Sequence, residues 1–90
     1  MNYFIYILRT SADTLYIGQT NNLKRRLKEH QEHRQKSARY IRYFPSFNLI
    51  YKESYPTRLE AMQREIQLKK WSKTKKEALV KNDLISLKKI

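Results

Sequence analysis

Ninety residues leave room for one domain, expected over 1–90 with a core at about 3–80 and a basic helix and tail over 72–90. The absence of cysteine excludes disulfides and thiolate metal sites, and the lack of any long apolar run excludes a membrane-spanning helix. Twenty Lys+Arg against eight Asp+Glu give a formal charge of +12, which calls for a polyanionic partner and excludes little else. Nucleic acid is the first candidate, ahead of an anionic membrane surface or an acidic protein. The N-terminus enters a strand pattern directly, without a signal-peptide pattern, so the expected compartment is the cytoplasm.

Residues 3 to 8, YFIYIL, are apolar or aromatic throughout and read as a strand buried on both faces. A loop of Ser11, Ala12 and Asp13, with Asp13 in the left-handed region, would pair Thr10 with Thr14. That register puts Tyr6 and Tyr16 on one face of the sheet, whereas a two-residue loop would separate them. The second strand is then Leu15 to Gln19. Thr20, Asn21 and Asn22 are all good N-caps for a helix from Leu23 to about Gln35, whose thin apolar stripe is Leu23, Leu27 and His30. Arg26 and His30 lie one turn apart on its border, while Lys24, Arg25 and Lys28 face outward.

Ser37 to Tyr43 suggest a helical turn closed by Pro45. A third strand follows over Phe47 to Tyr55, where Leu49 and Tyr51 alternate with Asn48, Ile50 and Lys52. Thr57-Arg-Leu-Glu60 fits a capping box that opens a helix to about Lys70. Its expected apolar stripe is Leu59, Ala61, Met62, Ile66 and Leu68, with Glu65 inside it. A carboxylate there is costly unless it is paired or holds a cation. Trp71 and a lysine-rich helix from Ser72 to about Lys81 complete the pattern.

Two triplets, FIY at 4 to 6 and YIG at 16 to 18, precede the R-x-x-x-H of Arg26 and His30. With the later R-E-x-x-x-K of Arg64, Glu65 and Lys69, this spacing resembles the GIY-YIG nuclease superfamily. It is most similar to small stand-alone members of the UvrC amino-terminal-domain-like, UPF0213 type. The resemblance runs from Tyr3 to roughly Val80. It implies an α/β (α+β) fold, with a small three-stranded antiparallel sheet flanked by helices, and metal-dependent hydrolysis of phosphodiesters in DNA. Carried over by position, the catalytic set is Tyr6, Tyr16, Arg26, His30 and Glu65, with Glu65 the metal ligand. Phe4 replaces the first motif glycine, and Asn82 is the sole counterpart for a late family asparagine.

The chemistry fits these residue types. A lone carboxylate suits Mg²⁺ (or Mn²⁺), which keeps most of its waters and takes phosphate oxygens into its shell. Arg26 can grip the phosphate bidentately. A tyrosine serves as general base only if a cation lowers its pKa. Tyr6 is the expected base and Tyr16 the orienting partner, with the reverse assignment open, and His30 shuttles a proton or holds Tyr6. Gly18 would let a phosphate or a backbone approach. Lys24, Arg25, Lys28, Arg39, Arg42, Lys69, Lys70 and Lys73 are candidate phosphate contacts, and Tyr40, Tyr43 and Phe44 candidate base-stacking groups.

Each feature also has a plain structural reading. Strand tyrosines usually pack, and an i,i+4 Arg/His pair usually faces solvent. Glu65 and Lys69 form an ordinary helical ion pair, and Gly18 suits a bulge. The expected function is a structure-selective endonuclease in DNA repair or processing. Its alternative is a basic nucleic-acid-binding module with little turnover. RNA is a second substrate class, a protein partner is a source of specificity, and the expected state is a monomer or weak dimer.

Overall fold

The computed structural model describes residues 2–31 and 46–81. Its elements are β1 (Tyr3–Thr10), β2 (Leu15–Thr20), α1 (Leu23–Gln31), β3 (Phe47–Tyr55), α2 (Arg58–Lys69) and α3 (Lys73–Val80). The strands form one antiparallel sheet in the order β2-β1-β3. This is the α+β arrangement expected from the sequence.

The central strand is apolar or aromatic from Tyr3 to Leu8 because it has two faces to fill. Ile5 and Ile7 point to one side and meet Ile17, Ala61 and Leu68, while Trp71, Leu79 and Val80 close over them. Tyr6 and Leu8 point to the other, where Leu23 and Leu27 of α1 and Phe47 pack on them. The sheet therefore separates α1 from α2 and α3.

The β1–β2 hairpin closes as predicted. Thr10 N–H donates to the Thr14 carbonyl at 2.9 Å, and Asp13 takes φ 62°. The register sets Tyr6 opposite Gly18 and Leu8 opposite Tyr16, so both tyrosines share the α1 face. The hairpin tip is tied to α3. Arg9 grips Glu77 with two bonds of 2.6 and 2.9 Å and Asp13 with a third of 2.7 Å, while Lys73 donates to the Asp13 carbonyl at 2.7 Å.

Each helix starts where a side chain replaces a missing backbone partner. Asn22 accepts from Arg25 N–H at 3.0 Å, Thr57 from Glu60 N–H at 3.3 Å, and Ser72 from Lys75 N–H at 3.2 Å. The predicted extension of α1 to Gln35 and the turn over Ser37 to Tyr43 lie outside the described residues, as does Asn82.

Two expectations need correction. Leu49 and Tyr51 do not share a face, because a bulge between the Ile7 and Leu8 pairings leaves Ile50 as an extra residue. Tyr51, Glu53 and Tyr55 consequently face α2. The apolar stripe of α2 is also narrower than its pattern suggests. Ala61 and Leu68 are fully buried, but Leu59, Met62 and Ile66 are 64%, 39% and 54% exposed.

The rotation of α2 follows from Glu53. This carboxylate sits on the inner face of β3, where the Tyr51 and Tyr55 hydroxyls donate to it at 2.5 and 2.6 Å. Arg64 completes the shell with a fork of 2.9 and 3.0 Å and stacks on Trp71. A half-buried carboxylate gains from such partners. Turning Arg64 toward β3 carries Leu59, Met62 and Ile66 out to solvent.

Candidate active site

The hairpin register and α1 converge on one face of the sheet. There the ring centroids of Tyr6 and Tyr16 lie 6.3 Å apart, those of Tyr6 and His30 6.1 Å, and those of Tyr16 and His30 5.8 Å. His30 reaches the sheet because it falls one turn beyond Arg26 on the inner stripe of α1, and Phe47 closes its other side edge-on at 6.0 Å. The Tyr6 hydroxyl and His30 Nε2 are 3.1 Å apart. The Tyr6 hydroxyl also meets the Arg26 guanidinium and the Tyr16 hydroxyl. Four of the five predicted catalytic residues thus form one cluster.

Its electrostatics are set by burial. Tyr6 is 1% exposed. Burial, then the neighbouring Tyr16, pushes its phenol well above the ordinary range, and the Arg26 bond only partly opposes this. Arg26 thus lowers the phenol's value without offsetting its burial. Burial, then Arg26, pulls His30 down to about 4, so the imidazole is neutral at pH 7. Burial also pulls Arg26 down, but its bond to Tyr6 and the field of the two phenols outweigh that, and it stays fully charged.

Gly18 has a role other than the expected one. A Cβ there would lie within 3.0 Å of the ring and hydroxyl of Tyr6, its cross-strand partner, and the backbone φ is not positive. The glycine accommodates Tyr6 rather than a phosphate or a bulge.

Glu65 also departs from expectation. It is not enclosed by an apolar stripe. It is partly exposed and pairs with Lys69 at 3.4 Å, the plain reading of that spacing. Its direction is informative. Arg64 points toward β3, so Glu65, one position on around the helix, turns toward β2 together with Arg58 and Lys69. Lys69 lines a 250 Å³ hollow with Lys76 and with Leu15, Tyr16 and Ile17 of β2. Lys69, the ion-pair partner of Glu65, thus shares this hollow with Tyr16.

The remaining predicted contacts divide. Lys24, Arg25 and Lys28 are exposed on α1, and Lys70 is exposed as the C-cap of α2. Lys73 is engaged with Asp13, and Trp71 packs on the core beneath Arg64 and Lys75. Arg39, Arg42, Tyr40, Tyr43 and Phe44 lie outside the described residues. Sequence reasoning passed over the Glu53–Arg64 fork. Its signal was a carboxylate two residues from a tyrosine on either side along one strand face.

The model of the GIY-YIG catalytic domain matches residues 2–78. This chain belongs to the GIY-YIG family. The UPF0213 protein YazA of Bacillus subtilis is 37% identical, over 88% of this chain and 78% of its own. A UPF0213 protein of Natronomonas pharaonis is 35% identical, over 91% of this chain and 94% of its own. The solution NMR structure of a UPF0213 protein from Bacillus halodurans is similar at a TM-score of 0.60 and 36% identity, covering 92% of this chain and 86% of that one. The GIY-YIG domain is a nuclease domain, which implies nucleic-acid binding, and GIY-YIG nucleases are generally metal-dependent. No helix among the described residues is long and apolar enough to cross a membrane.

The residues fit a divalent ion of the hard type. Among the described residues no three His, Cys, Asp or Glu side chains gather, so an ion would rest on one or two carboxylates, of which Glu65 is the expected one. That donor set suits Mg²⁺ or Mn²⁺, which fill their shells with water and substrate oxygens, and does not suit a caged zinc.

Proposed function

We propose that this protein is a metal-dependent endonuclease that hydrolyses phosphodiester bonds in DNA, with selectivity for structure rather than sequence. The observation that carries this reading is the convergence of Tyr6, Tyr16, Arg26 and the neutral His30 on one sheet face. A module that only bound nucleic acid would have no use for a buried phenol bonded to a buried neutral imidazole.

Glu65 would hold the metal, which supplies charge neutralisation to the phosphoryl oxygens when bound. Arg26, already charged and held against Tyr6, binds a non-bridging oxygen of the scissile phosphate and stabilises the charge that builds there. Tyr16 is half-exposed and Tyr6 is not, so Tyr16 is the phenol that touches the attacking water. The water proton passes to the Tyr16 oxygen as the Tyr16 proton passes to Tyr6 and the Tyr6 proton passes to His30 Nε2, while the P–O bond to the leaving oxygen breaks and that oxygen takes a proton from solvent water. This relay avoids a buried phenolate and leaves an imidazolium, stabilised by the arriving phosphate. It requires the Nδ1–H tautomer of His30, in which Nε2 accepts. Tyr6 is then the carrier and His30 the final acceptor.

The nucleic-acid-binding alternative draws on one observation, the Glu65–Lys69 pair, which an inactive domain would also contain. A cleavage assay separates the two. Single-stranded, duplex, nicked, flapped and junction DNA, and RNA, are incubated with Mg²⁺, Mn²⁺ or chelator, using wild type, Glu65→Ala and Tyr6→Phe. Metal-dependent cutting that both substitutions abolish supports the nuclease. No cutting under any metal, with salt-sensitive binding that Glu65→Ala leaves intact, rejects it.

A further inference from the structure

The outer side of α2 carries an apolar stripe that the described residues leave open. Leu59, Met62 and Ile66 are 64%, 39% and 54% exposed, and the pitch of the helix gathers them within about 60° of one another. Ala61 and Leu68, on the far side of the same helix, hold it to the sheet. Large apolar groups gathered on one exposed helix face mark an interaction surface.

Charge says what fits it. On α1, Lys24, Arg25, Arg26 and Lys28 stand against Glu29 alone, which suits a polyanion. On α2, Arg64 is held by Glu53, which leaves Arg58 and Lys69 against Glu60 and Glu65. In a chain of net charge +12, this balanced face is not built for nucleic acid, an anionic membrane or an acidic protein. It is instead complementary to itself. Leu59 and Ile66 are seven residues apart, and so are Arg58 and Glu65 on the flank facing β2, a separation of about 10 Å along the helix. A second copy of α2, laid antiparallel across Met62, sets Leu59 against Ile66 and Arg58 against Glu65, and the two-fold axis repeats both pairings. Among the described residues no carboxylate pairs with Arg58.

We infer that α2 is a self-association surface, on which two copies meet through Leu59, Met62 and Ile66 with Arg58 of each facing Glu65 of the other. Three apolar side chains per copy fall short of a permanent dimer's core, so the pair is weak and forms as concentration rises. The sheet separates α1 from α2, so Tyr6, Tyr16, Arg26 and His30 stay outside the contact. Glu65 does not, and an ion held there competes with Arg58 of the second copy. By linkage, Mg²⁺ or Mn²⁺ favours the single chain, and pairing weakens metal binding by the same factor. That consequence rests on the proposed metal role of Glu65, whereas the pairing rests on α2 alone.

The test is sedimentation velocity on the full chain from about 10 µM to about 1 mM, in about 0.15 M salt, which screens its net charge beyond about 8 Å. In chelator, wild type should shift from monomer to dimer across this range. Ile66→Asp, Arg58→Glu and Glu65→Arg should each weaken pairing at least about tenfold, and the double variant Arg58→Glu/Glu65→Arg should recover most of it. None of the three positions is buried, and circular dichroism checks that the variants fold. Wild type that stays monomeric throughout, or a dimer that Ile66→Asp and the charge reversals leave unchanged, would overturn the surface. Adding Mg²⁺ or Mn²⁺ should weaken the wild-type dimer several-fold. A dimer that the variants break, but that neither ion affects, would keep the surface and sink the assignment of the metal to Glu65.

Discussion

Tyr6 and Gly18 face each other across the β1–β2 ladder, and the phenol of the first occupies the side-chain space of the second. The second motif triplet therefore ends in glycine for the sake of the first motif's tyrosine. Gly18→Ala should destabilise the protein by about 1–3 kcal/mol, the usual cost of forcing atoms into a packed core. In a Tyr6→Ala background the same change should cost far less. Urea unfolding of the four proteins measures the coupling, and equal costs in both backgrounds would show that the ring is not the reason.

His30 makes stability depend on pH above the carboxylate range. Its folded value of about 4 lies below the ordinary 6.5, so between those values the unfolded chain binds more protons. Stability is complete above about pH 6.5 and falls as the pH drops toward 4, by at most about 3 kcal/mol. The groups around it set this window: Arg26 lowers the value further, and Glu29 opposes. His30→Gln should flatten the curve between pH 6.5 and 5. Asp13, Glu53 and Glu77, all held below the ordinary carboxylate value, act only at lower pH.

The two sides of α2 should respond oppositely to truncation. Leu68→Ala, at a fully buried position, should cost about 2–5 kcal/mol. Ile66→Ser, at a position 54% exposed, should change stability by no more than about 0.5 kcal/mol. Comparable losses from thermal or urea unfolding would mean that another surface covers Ile66.

Glu65 and Glu53 form a second contrast. Glu65→Gln breaks a partly exposed ion pair worth about 0–1 kcal/mol, so unfolding should barely change. Cleavage should fall by roughly 10²-fold or more, and the Mg²⁺- or Mn²⁺-induced rise in melting temperature should vanish. Glu53→Gln removes the charge that Arg64, Tyr51 and Tyr55 share, and should cost about 1–3 kcal/mol. A Glu65→Gln protein that melts lower but keeps its metal-dependent rise would place the metal elsewhere.

The sequence by itself determined the strands and the hairpin register, and its resemblance to the GIY-YIG family named the four residues that meet on one face. Those features are local: a run apolar on both faces, a loop whose length fixes parity, and an i,i+4 pair on one helix. Asp13 in a three-residue loop is enough to put Tyr6 and Tyr16 on one face. Tertiary structure alone decided the rotation of α2, because periodicity cannot tell which of two adjacent stripes will be buried. That choice fell to Glu53, eleven residues from Arg64, whose carboxylate takes the arginine fork in addition to two tyrosine hydroxyls. The same rotation exposed Leu59, Met62 and Ile66, and set Glu65 and Arg58 beside β2. Burial also decided the acid–base state of the site: the sequence put Tyr6 on a buried strand and His30 on an inner helix stripe, and only the tertiary packing set them 3.1 Å apart out of water.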